Sequence, residues 1–296
     1  MIENVWVIAS GEKEISELTS AADTLGKTTA LVTMRPGAAG ADTIYSFDSG
    51  RSMALCLPAM AELVRKEQPE LILAESTRDG RLAAGYLAAV LGTSPLPEAS
   101  SLTVTDTGVE TTRLVYGGSA VKTEQAAFPA VAVLGVGVFE THPVARGNQT
   151  VAMTGQTEGL ALQEVKESTI QSANLASAKR VVGVGRGLAS ADNIPLAEKL
   201  AALLGAEIGC TRPVSEEEHW YTKDRYIGVS GCMIKPSLYL AIGISGQIQH
   251  MVGVNQSNTV FAINKDENAP IFKQADYGIV GDVASVLPAI ISKLEK

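Results

Sequence analysis

Ser245, Gln249 and His250 follow directly on an apolar run, and polar groups so placed can converge on a bound ligand. The run Leu238 to Ile244 stops at Ser245-Gly246, and a helix is predicted over Gln247 to Val252. A buried strand that feeds a tight turn and a helix leaves the first helical amides unpaired, which suits an anion or a polar ring edge. A second apolar strand, Thr259 to Ile263, ends in Asn264-Lys265-Asp266 and repeats the arrangement. In open α/β sheets that carboxyl edge is where ligands bind.

Three further strand ends have the same character. Arg180 to Val184 runs into Gly185-Arg186-Gly187-Leu188, Ala206 to Gly209 ends at Cys210-Thr211-Arg212-Pro213, and Tyr226 to Val229 ends at Ser230-Gly231. If these strands are parallel, Arg186, Thr211, Arg212, Ser230, Ser245, Gly246 and Asn264 lie along one edge, within reach of one extended cofactor. Glycines around Arg186 would let the backbone approach a flat or phosphorylated ligand. Leu188 stands where a nicotinamide fingerprint requires its third glycine, so that motif is not met. Each residue also has a plainer reading: Ser230 as a turn residue, Arg212 as a surface charge, His250 as a satisfied helix histidine.

The elements that must position these residues are predicted as an α/β fold of two domains, each a mainly parallel sheet flanked by helices. Val5 to Ile8, Thr29 to Thr33, Ile44 to Phe47 and Leu71 to Ala74 read as strands. Glu14 to Leu25, Met53 to Lys66 and Gly80 to Leu91 read as helices between them. Strand and helix alternating at this spacing mean parallel pairing with right-handed crossovers. Glu75 to Gly80 is read as a helix N-cap with a surface arginine rather than as an anion site. Beyond Gly92, Leu102 to Val104 and Thr112 to Tyr116 flank hairpin-type turn residues at Asp106 to Gly108, and Gly117-Gly118 marks a second turn. Val131 to Val138 is expected as one more buried strand, with Gly135 and Gly137 packed against a neighbour. The polar, small-residue stretch Ser172 to Ala178 sets the expected boundary near Ala173, giving domains of residues 1–173 and 174–296.

Composition narrows the class. With 46% hydrophobic and 19% charged residues over 296 positions, the chain is compact rather than disordered, and long enough for two cores. Against 24 basic residues stand 32 acidic ones, a net charge of −8, so a nucleic acid is not expected as a partner. The sequence enters its first strand at Val5 to Ile8 and no apolar run in it is long enough to cross a bilayer, so no leader is expected, and a cytoplasmic protein with no membrane insertion is the expectation. Three cysteines and three histidines are scattered without ligand spacing, and no metal is expected.

The run Gly243-Ile244-Ser245-Gly246 with Gln249-His250, then Ala262 to Asp266, Ala269-Pro270-Ile271-Phe272 and Ala275 to Val280, resembles the FAD signature of the electron transfer flavoprotein alpha subunit, in particular its bacterial carnitine and nitrogen-fixation subgroup. The resemblance implies FAD bound at the carboxyl strand ends of the second domain, and a first domain that serves the subunit interface. It implies that Gln249 and His250 approach the ribityl and pyrimidine side of the flavin, that Ser230 meets N5, and that Arg212 lies against the ring. Arg186, Asn264 and Asp282 carry over as cofactor contacts, Asp282 on the adenosine ribose. Thr211, Ile227, Gly228, Val229, Ser245, Gly246, Gln247, Ile248 and Val283 complete the implied set. Ser230 replaces the family's usual threonine and Thr211 its serine, each keeping a hydroxyl, whereas Val229 replaces a glutamine and loses that side-chain contact. The implied partners are a beta subunit, an electron-donating dehydrogenase, the acyl-CoA type among the candidates, and an acceptor oxidoreductase. The alternative from another class is a self-contained flavin- or nicotinamide-linked dehydrogenase of a small metabolite.

Overall fold

The computed structural model describes residues 2–48, 52–155, 163–164 and 175–295, so the expected boundary at Ala173 falls outside the described residues. The chain forms two compact units, Met1–Val115 with Val121–Glu167, and Tyr116–Ala120 with Ser168–Lys296.

In the first unit, β1 (Ile2–Ile8), β2 (Gly26–Thr33), β3 (Thr43–Phe47), β4 (Leu71–Glu75) and β5 (Pro95–Ala99) belong to one parallel sheet. A smaller three-stranded sheet follows, from β6 (Ser101–Val104), β7 (Gly108–Val115) and β8 (Ala120–Ala127), with β6 and β7 antiparallel as the turn residues predicted. The chain then returns to the parallel sheet through β9 (Ala130–Leu134) and β10 (Gln149–Met153), giving the order β10-β3-β2-β1-β4-β9-β5. Alternate residues of β1 serve opposite faces: Val5 and Val7 pack with α1 (Glu12–Leu25), Trp6 and Ile8 with α2 (Met53–Glu67) and α3 (Arg78–Leu91). Cover on both faces explains why these strands read as continuous apolar runs rather than as alternation.

Two expectations need correction here. The strand expected over Val131 to Val138 stops at Leu134. Gly135 does pack closely, its amide donating to Ala99 O at 2.9 Å, but Gly137 has φ +74° and belongs to a turn. That turn is held by the buried carboxylate of Glu17, which accepts from Val138 N at 2.9 Å. The polar segment after Val144 meanwhile contributes β10, an edge strand parallel to β3. An edge strand buries too little to carry an apolar signature.

The N-cap reading of Glu75 to Gly80 holds: Thr77 Oγ1 accepts from Gly80 N at 3.1 Å at the start of α3. Glu75 itself is buried, accepting from Ser10 N at 3.0 Å and Thr77 Oγ1 at 2.9 Å. Strand order in this sheet reverses at β1 and β4, the place where a doubly wound domain would take a ligand's phosphate. Here the chain's own carboxylate sits at the start of α1 and uses donors that a phosphate would need.

The second unit is a five-stranded, wholly parallel sheet of β11 (Arg180–Val184), β12 (Glu207–Cys210), β13 (Leu238–Ile242), β14 (Val260–Asn264) and β15 (Tyr277–Val280), in the order β12-β11-β13-β14-β15. Helices α4 (Ile194–Leu204) and α7 (Val283–Leu294) cover one face through Leu200, Leu287 and Ile291. The opposite face is covered by irregular segments and one short helix, α6 (Ile248–Met251), while another short helix, α5 (Arg212–Glu216), follows β12. The strand expected over Tyr226 to Val229 is absent. Single bridges join Cys210 to Tyr226 and Ile227 to Cys232, because Gly228 at φ +139° turns the chain back on itself and Cys232 N donates to Tyr226 O at 2.8 Å.

Candidate functional site

The second sheet reverses its order between β11 and β13, so the loops leaving these neighbouring strands lie side by side at their carboxyl ends. They fit only because both are glycine-rich. Gly185 N donates to Ile242 O at 2.8 Å and Gly187 N to Gly243 O at 2.9 Å. A Cβ on Gly187 would stand 2.6 Å from Gly243 Cα, and one on Gly243 would stand 2.3 Å from Gly187 C. The glycines beside Arg186 therefore admit the neighbouring loop's backbone, a requirement for glycine that the sequence alone does not show.

Donors for a ligand come instead from the segment after Gly243. Among the described residues, the amides of Ser245, Gly246, Gln247, Ile248 and Gln249 have no hydrogen-bond acceptor. Gly246 has φ +85°, and a Cβ there would lie 2.4 Å from Ile271 N. The segment is braced from below: Asn264 Nδ2 donates to Ile244 O at 2.9 Å, Ile271 N to Ser245 O at 3.0 Å, and Gln274 Nε2 to Gly246 O at 3.3 Å. Asn264 is buried at the end of β14 and also accepts from Asp266 N, so its side chain holds the loop in shape. The predicted helix over Gln247 to Val252 is a single turn, too short to sum a useful dipole. What it offers an anion is unpaired N–H groups.

Ser230 does not follow a strand, yet the structure still brings it to this edge, because Ile227 N donates to Cys210 O at the end of β12 and Val229 N donates to Gln249 O at 2.9 Å. Its hydroxyl is exposed and lies 3.1 Å from Tyr226 Oη. Ile227 and Gly228 are buried supports of this loop, whereas Val229 and Ile248 are exposed beside Gln249.

His250 lies beneath the loop. Its Nδ1 is 3.1 Å from Ile227 O and its Nε2 is 2.7 Å from Tyr239 Oη, so both ring nitrogens are engaged within the unit. A carbonyl can only accept, which places the proton on Nδ1 and leaves Nε2 to accept from the phenol. Burial pushes the imidazole down to about 4, so it is neutral at pH 7. The resemblance implies a ring that approaches the flavin; within this unit the ring clamps Ile227 O to Tyr239 Oη. Cys210, buried nearby with its thiol pushed up to about 12, is an inert core residue.

Two cations stand on the edge, each beside a carboxylate. Arg212 Nε is 2.6 Å from Glu216 Oε2 and Arg186 Nη1 is 3.3 Å from Glu217 Oε2. Glu216 is held below the usual carboxylate range by Arg212. These exposed pairs cost little to break, so the guanidinium groups are free to exchange partners. Thr211, half-buried, starts α5, and its amide donates to Val184 O at 3.0 Å.

Asp282 ends the edge after β15 as the N-cap of α7, with Oδ1 accepting from Ala284 N at 2.8 Å, and Val283 is buried in the core. Asp282→Ala is therefore expected to lower stability by about 1 kcal/mol, whereas Asp282→Asn, an equally good cap, should leave it unchanged. Urea midpoints of the two variants separate the capping role from any part the carboxylate's charge plays in binding.

Several members of the edge carried no signal in the sequence. Glu216 and Glu217 are ordinary helix-end acids until the fold sets them against the arginines, and Tyr239 is one aromatic residue in an apolar run. Among the described residues no cluster of three or more potential ligands could hold a metal ion.

Comparison with known proteins gives consistent matches. The electron transfer flavoprotein domain matches residues 17–160, and the electron transfer flavoprotein FAD-binding domain matches residues 174–255. Protein FixB of Escherichia coli O139:H28 is 39% identical over 307 residues, covering 99% of this chain and 98% of the relative. Protein FixB of Shigella dysenteriae serotype 1 matches to the same extent. That of Escherichia coli O17:K52:H18 is 44% identical over 243 residues, 80% of this chain and 78% of the relative.

Proposed function

Because this chain belongs to the electron transfer flavoprotein alpha-subunit family, we propose that its FAD lies along the carboxyl edge of the five-stranded sheet and carries electrons from a dehydrogenase to an acceptor oxidoreductase. The chain is the FAD-binding alpha subunit of an electron transfer flavoprotein, and the family implies a beta subunit as its partner. The observation that carries the placement is the set of five unpaired amides from Ser245 to Gln249 at the strand-order reversal.

Those groups fit the cofactor. FAD presents a pyrophosphate and a ring edge that gathers negative charge on reduction, and both call for N–H donors and cations. The amides of Ser245 to Gln249, with Arg186 and Arg212, would supply them; Ser230, Gln249 and Asp282 would contribute side-chain contacts. Gly246, Asn264, His250 and Ile227 to Gly228 act one layer further in, holding the donors in place. When bound, FAD supplies the redox chemistry, and the protein supplies binding, orientation and electrostatics.

The donor is proposed to be a dehydrogenase, with the acyl-CoA type as the first candidate. No helix of the described residues is long and apolar enough to cross a membrane. A cytoplasmic location is part of the proposal. The two subunits are proposed to bury more than roughly 2,000 Å², as permanent complexes do. Co-expression with the beta subunit should give a yellow one-to-one complex, and a colourless complex that takes up no FAD would sink the reading.

Arg212→Ala is expected to leave FAD bound and to make it harder to reduce, because a positive charge is removed from where negative charge collects. Glu216→Gln should shift the potential the opposite way by freeing Arg212 from its partner. A redox titration that finds both variants at the wild-type potential would remove Arg212 from the site.

A further inference from the structure

We propose that Tyr239 is a positioning residue for the flavin site: its hydroxyl donates to Nε2 of the His250 ring whose Nδ1–H is held by Ile227 O, anchoring that ring and so tying the loop that bears Ser230 to the turn that bears Gln249. The proposal rests on the placement of FAD at this edge.

Tyr239 lies on β13 with its side chain fully buried. Its hydroxyl rests over Gly183 of the adjacent strand β11, where a Cβ would stand 2.0 Å from Oη. The absence of a side chain at Gly183 is thus what admits the phenol oxygen, and an apolar core alone would not call for an oxygen there.

The only hydrogen-bond partner of that oxygen among the described residues is His250 Nε2, at 2.7 Å. Beyond the ring, Nδ1 meets Ile227 O at 3.1 Å, and the next residue, Gly228, turns at φ +139° so that Val229 N can donate to Gln249 O. A side chain at Gly228 would place its Cβ 2.7 Å from that same Gln249 oxygen, so the loop and the turn are in backbone contact.

The direction of every bond in this chain is forced. Ile227 O accepts, hence Nδ1 donates; the neutral ring then has one lone pair left, on Nε2, and the phenol must donate to it. If the ring were protonated on both nitrogens, the phenol proton would face no acceptor and a charge would be buried. If the proton moved to Nε2, the lone pairs of Nδ1 and Ile227 O would face each other. Ile227 O therefore selects the ring state, and the Tyr239 hydroxyl, by donating to Nε2, anchors the ring that holds Ile227 to Ser230 against α6.

The test uses the full chain in its FAD-loaded complex, and for ring spectra also the cofactor-free protein. Nitrogen NMR of the wild type should show His250 with Nε2 unprotonated and Nδ1 protonated. Tyr239→Phe removes one oxygen at nearly constant volume, leaving the Nε2 lone pair unmet. It should leave the proton on Nδ1 but deprive Nε2 of its donor and so loosen the ring, weaken FAD binding about 5- to 10-fold, and shift the reduction potential of the bound flavin. Gly183→Ala, which displaces the phenol oxygen, should do the same.

A Tyr239→Phe protein that is less stable but keeps the wild-type FAD affinity and potential would make Tyr239 a packing residue only and overturn the proposal. Should neither variant accumulate, the wild-type spectrum still decides, because a His250 protonated on Nε2 contradicts the forced pattern. If the wild type shows the expected ring state yet binds no FAD, it is the placement of the cofactor that fails.

Discussion

Gly243→Ala is expected to abolish FAD retention and to destabilise the second unit by about 3–5 kcal/mol, the largest effect of any single methyl group added to the site. Gly243 has φ +62°, and its added Cβ would meet Gly187 C at 2.3 Å, Gly187 Cα at 2.6 Å and Leu188 N at 2.6 Å. All three are backbone atoms, so no side chain can rotate away to relieve the overlap. The loops after β11 and β13 would have to separate, breaking the Gly187 N to Gly243 O bond and moving the segment that carries the five free amides. Gly37→Ala is the matched control, since it too has positive φ, at +72°, but meets nothing within 4 Å. It should show only the cost of backbone conformation, about 1–2 kcal/mol, with FAD binding intact. Equal losses in the two variants, read by urea unfolding and FAD titration, would mean that the glycine contact at the reversal is not what shapes the site.

The same contact shows where sequence reading reached and where it stopped. A glycine on either side of Arg186 and another before Ile244-Ser245 are visible in the sequence, and glycine does imply close backbone approach. What approaches is not visible, because Gly187 and Gly243 meet only once β11 and β13 are paired. The parallel strands themselves were legible, since burial on two faces writes an unbroken apolar run. β10 was not, being a polar edge, and Tyr226 to Val229 imitates a strand in composition while Gly228 bends it out of the sheet. The edge residues with a fixed place after a strand, Arg186, Thr211, Arg212, Ser245, Gly246 and Asn264, were found correctly as strand-end residues. His250 was found as part of the cluster but faces inward, since its partners Tyr239 and Ile227 are distant in sequence and carry no local pattern.

That inward-facing histidine should make the protein's stability fall as the pH is lowered from 7 towards 4. In the folded chain His250 is pushed down to about 4 by burial, whereas in the unfolded chain it takes up its proton near its ordinary value of 6.5. Between those values only the unfolded state holds the proton, so acidification favours unfolding. At 1.36 kcal/mol for each unit of difference, the loss approaches about 3 kcal/mol by pH 4. Glu17 and Glu75 act in the opposite sense: burial raises both above the ordinary carboxylate range, so their contribution is present at low pH and is lost as the pH rises through their folded values. The His250 term is therefore read as a difference between proteins. His250→Gln keeps a neutral polar end that can accept from Tyr239 and donate to Ile227 O, but it does not titrate. Its stability should be within about 1 kcal/mol of wild type near pH 4.5 and lower than wild type at pH 7, where the imidazole clamp is fully formed. Urea unfolding of both proteins at a series of pH values makes the comparison, and parallel profiles between pH 7 and pH 4 would show that His250 is not the buried neutral group that this fold requires.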